Sequence, residues 1–257
     1  MKTMPYPNDI LSTRAVIRHG NYAIIPPTGL VNNVVPGIDN CRVSILASPK
    51  LGASFVQYVI EANEGGGTSA PFAAEPGIES FVYCISGTGT VSVGGEEHKL
   101  TSGGYAFAPE GVGLQFKNTS SGIMKLVLYK QRYIPLEGHS ARPVFGNANE
   151  MEYRIYDGME NVLIKDLLPT DLGFDMNFHI LSFIPGGSHP FIETHVQEHG
   201  AYILDGEGAY ILGEKWTTIK KDDFVWFGPF TTQGAYGVGR VPFTYVYSKD
   251  CNRDPAI

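Results

Sequence analysis

Apolar residues in this chain fall in short stretches of about four to eight, alternating with polar residues or continuous, and turn-forming residues separate the stretches. Alternation with a period of two places successive side chains on opposite faces of a strand. The pattern therefore predicts an all-β molecule with little helix, its antiparallel strands closed into sandwiches or small barrels. Composition agrees, with 31 Gly and 17 Pro to make tight turns and 14 Tyr and 14 Phe to fill strands.

The pattern also recurs along the chain. The segment FVYCISGTGTVSVGGEEHKLTSGGYAFAPEG at 81–111 and the segment AYILDGEGAYILGEKWTTIKKDDFVWFGPF at 201–230 share one layout of strand, Gly-x-Gly turn, strand, turn and aromatic strand. Gly87 and Gly89 fall opposite Gly206 and Gly208 at a displacement of 119 residues, which also carries Gly103 to Asp222 and Pro109 to Gly228. Upstream, LGASFVQYVIEANEGGG at 51–67 matches LGFDMNFHILSFIPGGS at 172–188 with the displacement near 121, so a small insertion separates the two registers. Residues 137–153 are polar and rich in Pro, Gly and Asn. They read as a connection between two β domains, at 1–140 and 150–257.

A formal net charge of −7 without a Lys/Arg cluster argues against nucleic acid and anionic membranes as partners. Cys41, Cys84 and Cys251 are odd in number and lack CxxC spacing, which suits reduced, mostly buried thiols. The first residues lack the apolar run of a signal peptide, and no stretch approaches the ~20 apolar residues of a membrane span. A cytoplasmic location is expected.

The second copy carries residues suited to a metal. In GGSHPFIETHVQEHGAYILDG, Glu193, His195 and His199 are all odd, so an extended strand points them to one side. Gln233, in FGPFTTQGAYG, adds an oxygen donor from a later strand. Two imidazoles with two oxygen donors suit Mn, Fe, Co, Ni or Zn, with the oxygen share favouring six-coordinate Mn, and two positions are left for water or a chelating substrate. The alignment puts Ala74, Pro76, Ser80 and Leu114 at these places in the first copy, where none supplies an equivalent donor. HVQEH also matches an inverted zinc-peptidase signature, but that requires a helix.

The spacing Gly187, Glu193-x-His195, His199, Gly206 resembles the first cupin motif with one histidine and the carboxylate exchanged. Asp222, Gly228 and Gln233 resemble the second, with Gln where His is usual. A bicupin of two tandem double-stranded β-helix (jelly-roll) barrels, with only the C-terminal metal site intact, is similar to the (S)-ureidoglycine aminohydrolase family. NVVPGIDNC, ETHVQEHGAYIL, GAYGVGR and YSKDCNRD extend the likeness over nearly the whole chain. The resemblance implies Mn²⁺, release of ammonia from the small molecule (S)-ureidoglycine to give (S)-ureidoglycolate in allantoin and purine catabolism, and a homo-oligomer. It also implies that Lys249, Tyr245 and Tyr210 meet the substrate. Lys249 and Glu193 are the expected catalytic groups. Tyr245, Tyr247 and Lys249 share parity in the last strand, although Lys130 occupies the place of Lys249 in the other copy. Even parity turns Glu198 away from the donors, to a supporting or surface position. His189 is expected in solvent near the mouth, and Trp216 and Trp226 in packing. A cupin dioxygenase or isomerase is the competing enzyme reading, and a binding or storage bicupin the non-catalytic one.

Overall fold

The computed structural model describes residues 12–255. Strand follows strand, as the alternation predicts, and the helical content of these residues is two 3₁₀ turns, Pro27–Gly29 and Ala148–Glu150. In the first half, one nine-stranded sheet curls around a core that includes Val43, Ile60, Val82, Leu114, Phe116 and Leu126. Its strand Phe55–Thr68 is long enough to pair with Ile38–Ala47, Met124–Arg132 and the end of Leu114–Asn118. In the second half the corresponding strand, Met176–Phe183, stops before Pro185. Proline cannot extend the hydrogen-bond ladder, so the second barrel is divided. An eight-stranded sheet faces a three-stranded sheet of Glu207–Leu212, Lys215–Lys220 and Gln233–Val238, and the bridges Ser188↔Tyr236 and Glu193↔Gln233 carry the chain along the smaller sheet's edge.

The strand register reproduces the sequence repeat. His199 pairs with Phe227 and Lys249, and Ser80 pairs with Ala108 and Lys130, each displaced by 119 residues. Tyr58↔Leu128 and His179↔Tyr247 carry the upstream displacement of 121. One detail of the expected alignment is corrected. Leu114 bridges Phe72, as Gln233 bridges Glu193, so Phe72 rather than Ala74 stands where the second barrel has Glu193. The two extra residues therefore lie in the first copy, between Phe72 and Ser80, a stretch the second copy spans from Glu193 to His199.

The division at 140 and 150 is crossed by hydrogen bonding in both directions. Tyr22–Ile25 pairs with Phe224–Phe227 of the second barrel, while Val144–Asn147 pairs with Gly104–Ala108 of the first. The opening strand of each copy thus completes the sheet of the other. Between the barrels lies a third core, rich in aromatic rings, where Phe81 of one half stacks on Phe178 of the other at 3.9 Å. Such pairs contribute about 0.5–1.5 kcal/mol beyond the area they bury. Cys84 is buried and Cys41 and Cys251 are partly so, all three as free thiols. Among the described residues, no helix is long and apolar enough to cross a membrane.

Candidate metal centre

Glu193, His195, His199 and Gln233 meet inside the second barrel, on the wall of one cavity of about 60 Å³. They do not meet by strand alternation. The strand begins only at His199, and residues 194–198 follow an irregular path in which His195 O accepts from Phe230 N–H. Glu193 is fixed separately, by its two-way backbone bridge to Gln233. The residues that parity grouped do converge, but a loop pinned at three points brings them together.

Backbone carbonyls set the protonation of both imidazoles. His199 Nδ1–H donates to Ser248 O at 2.8 Å and His195 Nδ1–H donates to Gln197 O at 2.9 Å. A carbonyl only accepts, so each neutral ring carries its proton on Nδ1 and presents a bare lone pair at Nε2. These two Nε2 atoms face each other at 3.3 Å. Burial pushes both imidazoles below the ordinary histidine pKa, most strongly for His199, and the Lys249 charge adds to the shift at each. Two lone pairs aimed at one point, neither ring carrying a proton there, are an arrangement that could receive a cation.

The Gln233 amide occupies the remaining side. Its Nε2 lies 2.9 Å from Glu193 Oε1 and 3.0 Å from His195 Nε2, while Tyr210 O–H donates to its Oε1 at 2.8 Å. A half-turn of the amide exchanges its oxygen and nitrogen, giving the shared point a fourth lone pair and giving Tyr210 an N–H to accept. Among the described residues, no group of three His, Cys, Asp or Glu side chains is placed to hold a metal ion, so the donor set has to include the Gln233 amide. Donors about 2.1 Å from a metal at right angles stand about 3.0 Å apart, and the observed separations of 2.9, 3.0 and 3.3 Å fit that spacing. The residues fit a divalent cation.

The rest of the wall is aromatic and polar: Tyr156, Tyr210, Tyr245, Tyr247, His189 and Lys249. Burial pushes the phenols of Tyr210, Tyr245 and Tyr247 up, so they remain O–H groups at neutral pH. Burial also raises Glu193, an effect the Lys249 ammonium opposes. In the first barrel, Phe72, Ser80 and Leu114 stand for Glu193, His199 and Gln233, and Lys130 lies 5.3 Å over the Phe72 ring. The shared lysine faces an aromatic ring there and a carboxylate here.

A cupin domain family matches residues 59–129, in the first barrel. The (S)-ureidoglycine aminohydrolase of Escherichia coli (strain K12) is 50% identical over 98% of this chain and 97% of its own. The chain belongs to the (S)-ureidoglycine aminohydrolase family. It is accordingly a hydrolase. The crystal structure of the E. coli protein YlbA, 47% identical, superimposes with a TM-score of 0.88 over 98% of this chain and 100% of that one. An oxalate decarboxylase of Lactobacillus farciminis, 9% identical, shares the bicupin fold with a TM-score of 0.68 over 90% of this chain and 86% of its own.

In this aminohydrolase-family chain, all seven residues singled out from the sequence for metal or substrate line one cavity: Glu193, His195, His199, Gln233, Tyr210, Tyr245 and Lys249. Two expectations are corrected and a third is narrowed. His189 is not in solvent, since its side chain is 6% exposed. It accepts Ala235 N–H at Nδ1, which leaves Nε2–H 4.0 Å from Glu193 Oε1, and burial pushes it down to about 4. Trp216 is 54% exposed on the outer face of the small sheet rather than packed. Of the two positions expected for Glu198, supporting or surface, it takes the first, buried where the barrels meet. Tyr156 was missed, because it comes from a short strand outside the repeat; His189 shares the odd parity of Glu193 and was legible on that ground.

Proposed function

We propose that this chain hydrolyses (S)-ureidoglycine to (S)-ureidoglycolate and ammonia, within allantoin and purine catabolism, using one Mn²⁺ held by Glu193, His195, His199 and Gln233. The observation that carries the metal assignment is the facing pair of imidazole lone pairs at 3.3 Å. The name of the E. coli relative supports the substrate. When bound, a divalent ion here supplies a Lewis acid that grips a chelating substrate, and a set of two nitrogens and two oxygens suits manganese.

The chain's own residues account for orientation and proton handling. Ureidoglycine carries a carboxylate, an amine and a ureido group on one carbon, so holding two of them leaves one face of that carbon open. Lys249 gives the cavity a positive wall for the carboxylate. The Tyr210 and Tyr245 hydroxyls, kept protonated by burial, are fixed hydrogen-bonding partners for the ureido group. Loss of the amine and addition of water require one group to give a proton and one to take it, and Lys249 and Glu193 are the pair assigned. The test is to generate ureidoglycine in place with an allantoate-hydrolysing enzyme and follow the product. Single-enantiomer ureidoglycolate, suppressed by a chelator and restored by Mn²⁺, is the expected result. Racemic product at the spontaneous rate contradicts the substrate; enantioselective turnover indifferent to chelator contradicts the metal.

A further inference from the structure

The first barrel contains no counterpart of the metal donors, yet it touches the segment that carries His199 on both sides. Immediately before His199, the buried carboxylate of Glu198 accepts Ser54 N–H of the first barrel at Oε1 and Trp226 Nε1–H of the second at Oε2, each at 2.9 Å. The Glu198 N–H in turn donates to Asp250 Oδ1 at 2.8 Å. Immediately after His199, Gly200 lies so close to the first barrel that a Cβ there would stand 2.2 Å from Gln57 Oε1 and 2.7 Å from the Phe55 ring. Gln57 is fully buried. Three consecutive residues are thus clamped, with Ser54 and the adjoining strand residues Phe55 and Gln57 as the jaw.

We propose that the first barrel serves the reaction as a template for His199, and that Glu198 and Gly200 are the positioning residues through which it acts. The inference rests on His199 being a metal donor. A buried carboxylate with two N–H donors is a strong, directional tie. A glycine pressed against another element fixes the approach distance, because any side chain would push the strand away. Donor atoms tolerate displacements of only a few tenths of an ångström before a metal site weakens. The His199 ring is held from the far side by Ser248 O, so a shift of its backbone turns the ring relative to His195.

The test is titration of the purified protein with Mn²⁺ alone, well below each variant's melting temperature, alongside thermal unfolding. Glu198→Gln leaves one of the two N–H donors without an acceptor, and Ser54→Pro removes one donor from within the first barrel. Gly200→Ala wedges the clamp open, and Gly200→Ala combined with Gln57→Ala relieves the tightest contact. Each of the first three changes is expected to weaken Mn²⁺ binding by about 10–100-fold, the usual effect of losing an outer support of a metal ligand. The fourth is expected to recover part of that loss, a rescue that general destabilisation does not produce. Mn²⁺ affinity within twofold of the parent in folded Glu198→Gln and Gly200→Ala proteins overturns the proposal while leaving the metal site standing. A parent that binds no Mn²⁺, or a His195→Ala variant that binds it unchanged, overturns the metal site and the proposal with it.

Discussion

At the scale of single residues, the protein works by removing choices. His195 and His199 each have one nitrogen committed to a backbone carbonyl, so only the other can act. Lys249 is held on a strand paired to His199, which places its charge on the cavity wall beside Glu193, His195 and His199. Lys249→Ala is therefore expected to keep Mn²⁺ bound while lowering kcat by roughly 10²-fold or more, the scale of a lost proton-transfer group. Metal titration paired with steady-state kinetics checks this, and an unchanged kcat returns Lys249 to the structural role Lys130 has. The convergence of Glu193, His195, His199 and Gln233 was legible in the sequence because chemistry restricts candidate metal ligands to few residue types, and because the other copy shows the same scaffold without them. That Glu198 turns from the cavity was legible, but what it touches was not. Its parity described a regular strand that does not begin until His199, and its partner Ser54 lies 144 positions away.

At the scale of elements, the repeat predicted the strands well because its glycines mark places where any other residue is excluded. Gly206 has φ +74°, and a Cβ there would stand 2.3 Å from Pro242 O; Gly87 repeats the positive φ and a close contact with Met124. Asp222 replaces Gly103 at another left-handed position, with φ +69°. Aspartate tolerates that conformation better than most residues, and Asp222 is tied down by Lys125 and Tyr202. What the pattern did not convey was where strands end. Met176–Phe183 stops before Pro185 whereas Phe55–Thr68 runs on, and that early stop frees the segment that carries Glu193 along the edge of the small sheet.

At the scale of the whole molecule, the exchange of opening strands and the aromatic layer between barrels make the two halves one body, a feature hidden from a repeat comparison that aligns copies without showing which sheet a strand joins. Glu79 of the first barrel and Asp175 of the second are both buried in that layer. Burial, then the neighbouring Asp175 carboxylate, holds Glu79 well above the ordinary carboxylate range, and burial likewise raises Asp175. A carboxyl that binds its proton more tightly when folded adds stability that is complete below its unfolded pKa, about 4.3, and is lost as pH rises through the folded value. Gln131 Nε2–H already donates to Glu79 Oε1, so Glu79→Gln keeps that acceptor and imitates the protonated acid. It is expected to melt several degrees above the parent at pH 8, by roughly 1–3 kcal/mol of relieved burial cost, with the difference shrinking toward pH 4.3. A difference between the two melting temperatures that stays constant across pH would falsify the raised Glu79 pKa.

The central claim is that four side chains of the second barrel close around one cation. Crystals grown with Mn²⁺ and measured at the manganese absorption edge test it directly. The account predicts one anomalous peak per chain, within bonding distance of Glu193, His195, His199 and the Gln233 oxygen, with none in the first barrel. Well-ordered side chains with no peak between them, or a peak bound by other residues, would contradict it.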